Sequence, residues 1–109
     1  MAGAQPFIDA KIRQRTVLMF TKKSCPDSKL ARSILDDYNM RPDVYECCDI
    51  DSRQDCTQLE NYLQVLCLTD TRSVPQLFVR GKYIGGEKEI PRYHESGELK
   101  RILSVAKAF

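Results

Sequence analysis

Thr16-Val17-Leu18-Met19-Phe20-Thr21-Lys22-Lys23-Ser24-Cys25-Pro26-Asp27-Ser28-Lys29-Leu30-Ala31-Arg32-Ser33-Ile34-Leu35 decides the fold class. Residues 16–20 form an unbroken run of strand formers, which suits a strand buried on both faces of a parallel sheet. A short polar loop, 21–25, follows. Leu30, Ala31, Ile34 and Leu35 then recur with helical period. Pro26 fits the first helical position, where its missing N–H costs no hydrogen bond, and this puts Cys25 at the N-cap. Strand, tight turn and helix in that order open a βαβ unit.

The neighbouring segments complete that unit. Upstream, Phe7, Ile8 and Ile12 give residues 4–13 the pattern of a short amphipathic helix. Downstream, the helix is expected to end near Tyr38-Asn39, and residues 43–48 read as a second strand. After a turn at 49–52, Leu59, Tyr62, Leu63 and Leu66 mark another helix. Residues 76–79 and 82–84, joined by Arg80-Gly81, read as a hairpin. Gly85-Gly86 breaks the pattern, and Leu99, Ile102, Leu103 and Val105 fall on a final helix. The order α-β-α-β-α-β-β-α predicts an α/β fold: a parallel βαβ unit closed by an antiparallel hairpin, with helices on both faces of one mixed sheet.

With 109 residues, of which 42% are hydrophobic, one domain spanning 1–109 is expected. No apolar run is long enough to span a membrane. The formal charge of +2, from 17 basic and 15 acidic residues, argues against a nucleic-acid partner, which would call for a concentrated basic surface. The five cysteines, Cys25, Cys47, Cys48, Cys56 and Cys67, are odd in number and irregularly spaced. Met1-Ala2-Gly3 carries neither an apolar leader nor a myristoylation signal. A reducing, cytoplasmic setting is therefore expected. A metal is not: Cys47 and Cys48 are adjacent, and His94 is the sole histidine.

One cysteine stands apart. Unsatisfied N–H groups and the dipole of a helix start favour a thiolate at the N-cap, and Lys22 and Lys23 add positive charge nearby. Cys25 is the predicted nucleophile.

Three motifs in register then carry a family resemblance. Residues 17–28, ending in Ser24-Cys25-Pro26-Asp27-Ser28, followed by Ser73-Val74-Pro75 and by Gly85-Gly86, resemble the glutaredoxins. The likeness runs from about residue 14 to 105 and includes His94-Glu95-Ser96-Gly97-Glu98-Leu99 near the end. It implies a thioredoxin fold with a four-stranded mixed sheet, a cis Pro75 beside Cys25, and glutathione as reducing co-substrate. It also implies a glutathione site: Lys22 for the glycine carboxylate, Val74 pairing through its backbone, and Gly85-Gly86-Glu87-Lys88-Glu89 for the γ-glutamyl end. Arg72 matches a basic position of the family, although a plain surface role fits it equally. Lys23 remains an alternative to Lys22.

The departures shape the expected chemistry. Dithiol members carry Cys-Pro-Tyr-Cys, whereas here Ser28 replaces the second thiol and Asp27 the aromatic. Ser28 cannot close an internal disulfide, which leaves the one-thiol route. Ser73 stands for Thr, Glu89 for Asp, and the family's glutamine aligns with Tyr62. The implied activity is deglutathionylation of glutathionylated proteins or small disulfides by a monomer. A low-turnover regulatory module and a [2Fe–2S] carrier remain as alternatives. On a strand, Cys47 and Cys48 must face opposite ways, one into the core and one outward. Cys56 and Cys67 read as packing or surface thiols, with a resolving or regulatory role as the alternative.

Overall fold

The computed structural model describes residues 4–51, 53–67 and 75–108. Its elements are α1 (Ala4–Gln14), β1 (Val17–Thr21), α2 (Pro26–Asp36), β2 (Tyr45–Asp49), α3 (Cys56–Cys67), β3 (Gln76–Val79), β4 (Lys82–Gly85), α4 (Glu89–Ser96) and α5 (Glu98–Val105). The four strands form one sheet in the order β2-β1-β3-β4. β1 runs parallel to β2 and antiparallel to β3, and β3 is antiparallel to β4. No described helix is long and apolar enough to cross a membrane.

β1 is central, and all five of its residues are buried. Its alternation divides the core in two. Val17 and Met19 face a cluster with Ala31, Ile34 and Leu35 of α2, Ile90 of α4, and Leu99 and Leu103 of α5. Leu18 and Phe20 face the other way, onto Ile8 of α1 and Leu59 and Leu63 of α3. Phe20 meets Phe78 edge to face, with centroids 6.0 Å apart. Each such fully buried side chain contributes about 1.5–3 kcal/mol, so the continuous apolar run of β1 pins the sheet between two helical layers.

Several boundaries differ from the sequence reading, for identifiable reasons. Thr21 belongs to β1 and not to the loop: it pairs with Asp49 and is fully buried, and its hydroxyl donates to Asp49 Oδ1 at 2.7 Å. The buried face of α2 starts at Ser28, and Leu30 is left 51% exposed. The final helical region is two helices, because Gly97 takes φ +84° and ends α4 before α5 begins. Arg80 and Gly81 both have positive φ, 50° and 79°, as a two-residue type I′ hairpin turn requires. Donation from the Arg80 guanidinium to the Ala106 carbonyl, at 2.8 and 3.0 Å, holds the non-glycine member in place.

The expectation that one of Cys47 and Cys48 is exposed is also corrected. Helices cover both faces of the sheet, so Cys48 lies in the Leu18 cluster while Cys47 packs half-buried against the Met19 side.

Candidate active site

The chain leaves the carboxyl end of β1 through a turn held at three points. The Cys25 N–H donates to the Lys22 carbonyl at 3.1 Å. The Lys22 N–H donates to Ser28 Oγ, and the Ser24 N–H to Asp51 Oδ2, each at 3.2 Å. Cys25 is the N-cap of α2 in an extended conformation (φ −91°, ψ 121°), with Pro26 at the start of the helix. Its carbonyl accepts the Lys29 N–H at 3.1 Å. Its side chain makes no capping hydrogen bond and lies half-buried against the Leu18–Phe20 cluster. The thiol thus sits where a helix start offers N–H groups to an anion.

Of the other described cysteines, Cys47 and Cys48 lie on β2, and Cys56 is the first residue of α3. Burial is the main cause that pushes the thiols of Cys48 and Cys56 up from their ordinary range, and neighbouring Glu46 and Glu60 respectively add to it. Both are therefore poor thiolates at neutral pH. Cys47 Sγ accepts a hydrogen bond from Arg32 Nε at 3.2 Å and lies 3.2 Å from the Thr21 hydroxyl, inside a network completed by Asp49. The side chain of Cys67 lies outside the described residues.

Lys22 extends from the turn to α3, where its ammonium is ion-paired with the Glu60 carboxylate. The hydrogen bond to Glu60 raises its pKa; partial burial opposes this, and Asp51 adds a smaller push upward. In the first turn of α2, the carboxyl of Asp27 meets that of Glu87. Hydrogen bonding to Asp27 is the leading cause that holds the Glu87 carboxyl above its usual range, with partial burial next.

Two glycines bring the loop before α4 close to this region. A Cβ on Gly86 would stand 3.1 Å from the carbonyl oxygen of buried Pro75, so only glycine lets these segments touch without a shift. A Cβ on Gly85 would meet Glu89 Cβ at 2.4 Å. Glu89 folds back across it, and its Oε1 accepts the Gly86 N–H at 2.8 Å. That carboxylate closes the turn from Gly86 into α4. Lys88, the N-cap of α4, is exposed.

The sequence model of the glutaredoxin family matches residues 17–84, well over half the chain. The chain belongs to the glutaredoxin family. It is 32% identical to Glutaredoxin-1 of Sus scrofa over 96 residues, covering 88% of this chain and 89% of that protein. Among solved structures it is similar to oxidized glutaredoxin 2 from Chlamydomonas reinhardtii, with 26% identity and a TM-score of 0.85 over 99% of this chain and 97% of that one. A buckwheat glutaredoxin–glutathione complex shares the fold at 24% identity, with a TM-score of 0.83 over 97% and 92% of the two chains.

In this glutaredoxin, Cys25, Lys22, Asp27 and Ser28 surround one turn, Glu87 reaches Asp27, and Gly86 lies on Pro75. Arg72, Ser73 and Val74 lie outside the described residues. Tyr62 is not the α3 residue beside Lys22: its hydroxyl donates to Asp9 Oδ1 at 2.9 Å, joining α3 to α1. Glu60 holds that place, and the sequence reading passed over it. The available signal was a carboxylate one helical turn after Cys56, on a helix whose neighbours Leu59 and Leu63 are core.

Proposed function

We propose that this glutaredoxin is a glutathione-dependent oxidoreductase that reduces glutathione mixed disulfides through Cys25 alone. One observation carries the reading: Cys25 occupies the N-cap of α2, and the residue three positions on, Ser28, is a buried hydroxyl already engaged by the Lys22 N–H. No second sulfur stands at that helix start to form an internal disulfide.

The Cys25 thiolate attacks the glutathione sulfur of a mixed disulfide R–S–SG. A Cys25–SG bond forms, the R–SG bond breaks, and the thiolate RS⁻ leaves and takes up a proton. A second glutathione thiolate then attacks the bound glutathione sulfur, giving oxidised glutathione and restoring Cys25. The substrates are glutathionylated proteins or small disulfides, and the protein acts as a monomer in a reducing, cytoplasmic compartment. Lys22, Val74 with Pro75, and residues 85–89 are the proposed glutathione contacts. Similarity to a glutaredoxin solved with glutathione supports this assignment.

Turnover of a glutathionylated peptide in the presence of reduced glutathione tests the proposal. Release of free peptide well above the uncatalysed rate is expected. Release at the background rate would overturn it and leave a glutathione-binding module.

A further inference from the structure

The Lys22–Glu60 pair bears on which thiol the site selects, and the inference rests on the glutathione reading above. The pair is half-buried: the side chains of Lys22 and Glu60 are 27% and 14% exposed. An incoming carboxylate can reach this ammonium in two ways. It can displace Glu60, leaving a largely buried carboxylate unpaired, or it can crowd a second anion onto one cation. Both oppose binding, and Glu60 has the further advantage of being tethered.

A second observation points the same way. Asp51, also close enough to raise Lys22, has a buried Oδ1 with no hydrogen-bond partner among the described residues. Its Oδ2 accepts the Ser24 N–H. Among the described residues the neighbourhood therefore has an acceptor to spare. A neutral amide, which carries N–H donors, complements it better than a carboxylate.

We propose that Glu60 is a specificity-determining residue: by holding the Lys22 ammonium, it lowers the preference for a free C-terminal carboxylate beside the reacting cysteine. The favoured substrates are disulfides of γ-glutamyl-cysteinyl peptides whose C-terminus is amidated or continues as a peptide chain.

The test uses two mixed disulfides of one reporter peptide, with glutathione and with glutathione amidated at its glycine. The readout is the ratio of kcat/KM for free acid over amide. In the wild-type protein the ratio is expected at or below one. Glu60→Gln should raise it about three- to tenfold, the scale of one partly screened ion pair, through KM more than kcat. Adding Lys22→Ala to Glu60→Gln should remove that gain. A general loss of stability moves both substrates together and leaves the ratio unchanged. A wild-type ratio well above one that Glu60→Gln does not alter would overturn the proposal.

Failure of the underlying reading looks different: neither disulfide is turned over. Glu60 is then decided by NMR titration of S-methylglutathione and its glycine amide. Selective tightening of the free acid in Glu60→Gln supports the proposal; equal binding of the two, or none, overturns it.

Discussion

The hydroxyl of Ser28 accepts the backbone N–H of Lys22 at 3.2 Å, from a side chain only 2% exposed. The position that holds a second thiol in dithiol relatives is here a structural anchor for the turn before Cys25. Loss of the sulfur and shaping of the turn are thus properties of one residue.

Ser28→Ala should leave the Lys22 N–H without its partner. An unpaired group of this kind costs about 1–3 kcal/mol. Thermal denaturation should show a Tm lower by at least about 4 °C, since a domain near this size loses about 4–8 °C per kcal/mol. An unchanged Tm would mean that the hydrogen bond contributes no net stability.

Ser28→Cys should place a thiol three residues after Cys25 at the helix start, within bridging distance. After mild oxidation, mass spectrometry should show the loss of two hydrogens. The variant should gain reduction of protein disulfides while its throughput on glutathione mixed disulfides falls, because the internal bond competes for Cys25. Only a glutathione adduct, with no internal bond, would contradict the geometry.

The contact between Asp27 and Glu87 makes a pH-dependent prediction. Glu87 binds its proton more tightly in the folded protein than in the unfolded chain, because hydrogen bonding to Asp27 raises its carboxyl above the ordinary range. Stability from this pair therefore increases as pH falls through the raised folded value and is complete below the unfolded one. Urea denaturation of the wild type and Asp27→Asn at pH 7 and pH 4 should show the wild type gaining relative to the variant at the lower pH. The pair is near the surface, so the effect is a few tenths of a kcal/mol and should shrink in high salt. The opposite sign would mean that the two carboxyls do not share a proton.

Asp27 also puts a carboxylate in the first turn of α2, two residues after Cys25. Asp27→Asn should speed alkylation of Cys25 by iodoacetate, an anion, more than by neutral iodoacetamide, and salt should reduce the difference. Equal acceleration of both reagents would show that the carboxylate acts on something other than the approach of an anion.

Much of this arrangement was legible because it is local. The apolar run of β1, the Pro26 start of α2 and the Arg80-Gly81 turn each obey rules that span a few residues. The pairings that define the site do not. Lys22 and Glu60 lie 38 residues apart, and Asp27 and Glu87 come together only when the loop before α4 docks beside α2. Periodicity alone could not choose between Ser28 and Leu30 for the buried face of α2. The anchoring of the Lys22 N–H decides for Ser28 and leaves Leu30 in solvent. Nor does any local rule single out Glu60: Tyr62, which aligns with the family's glutamine, bonds Asp9, and the carboxylate beside Lys22 emerges only from the packing of α3.

The most direct measurement traps the intermediate. The reduced protein is mixed with a glutathionylated peptide, quenched with acid and mapped by peptide mass spectrometry. The account predicts one glutathione on Cys25, none on Cys47, Cys48, Cys56 or Cys67, and loss of the adduct on adding reduced glutathione. Cys25→Ser should give no adduct and no turnover. An adduct on another cysteine, or turnover that survives in Cys25→Ser, would contradict it.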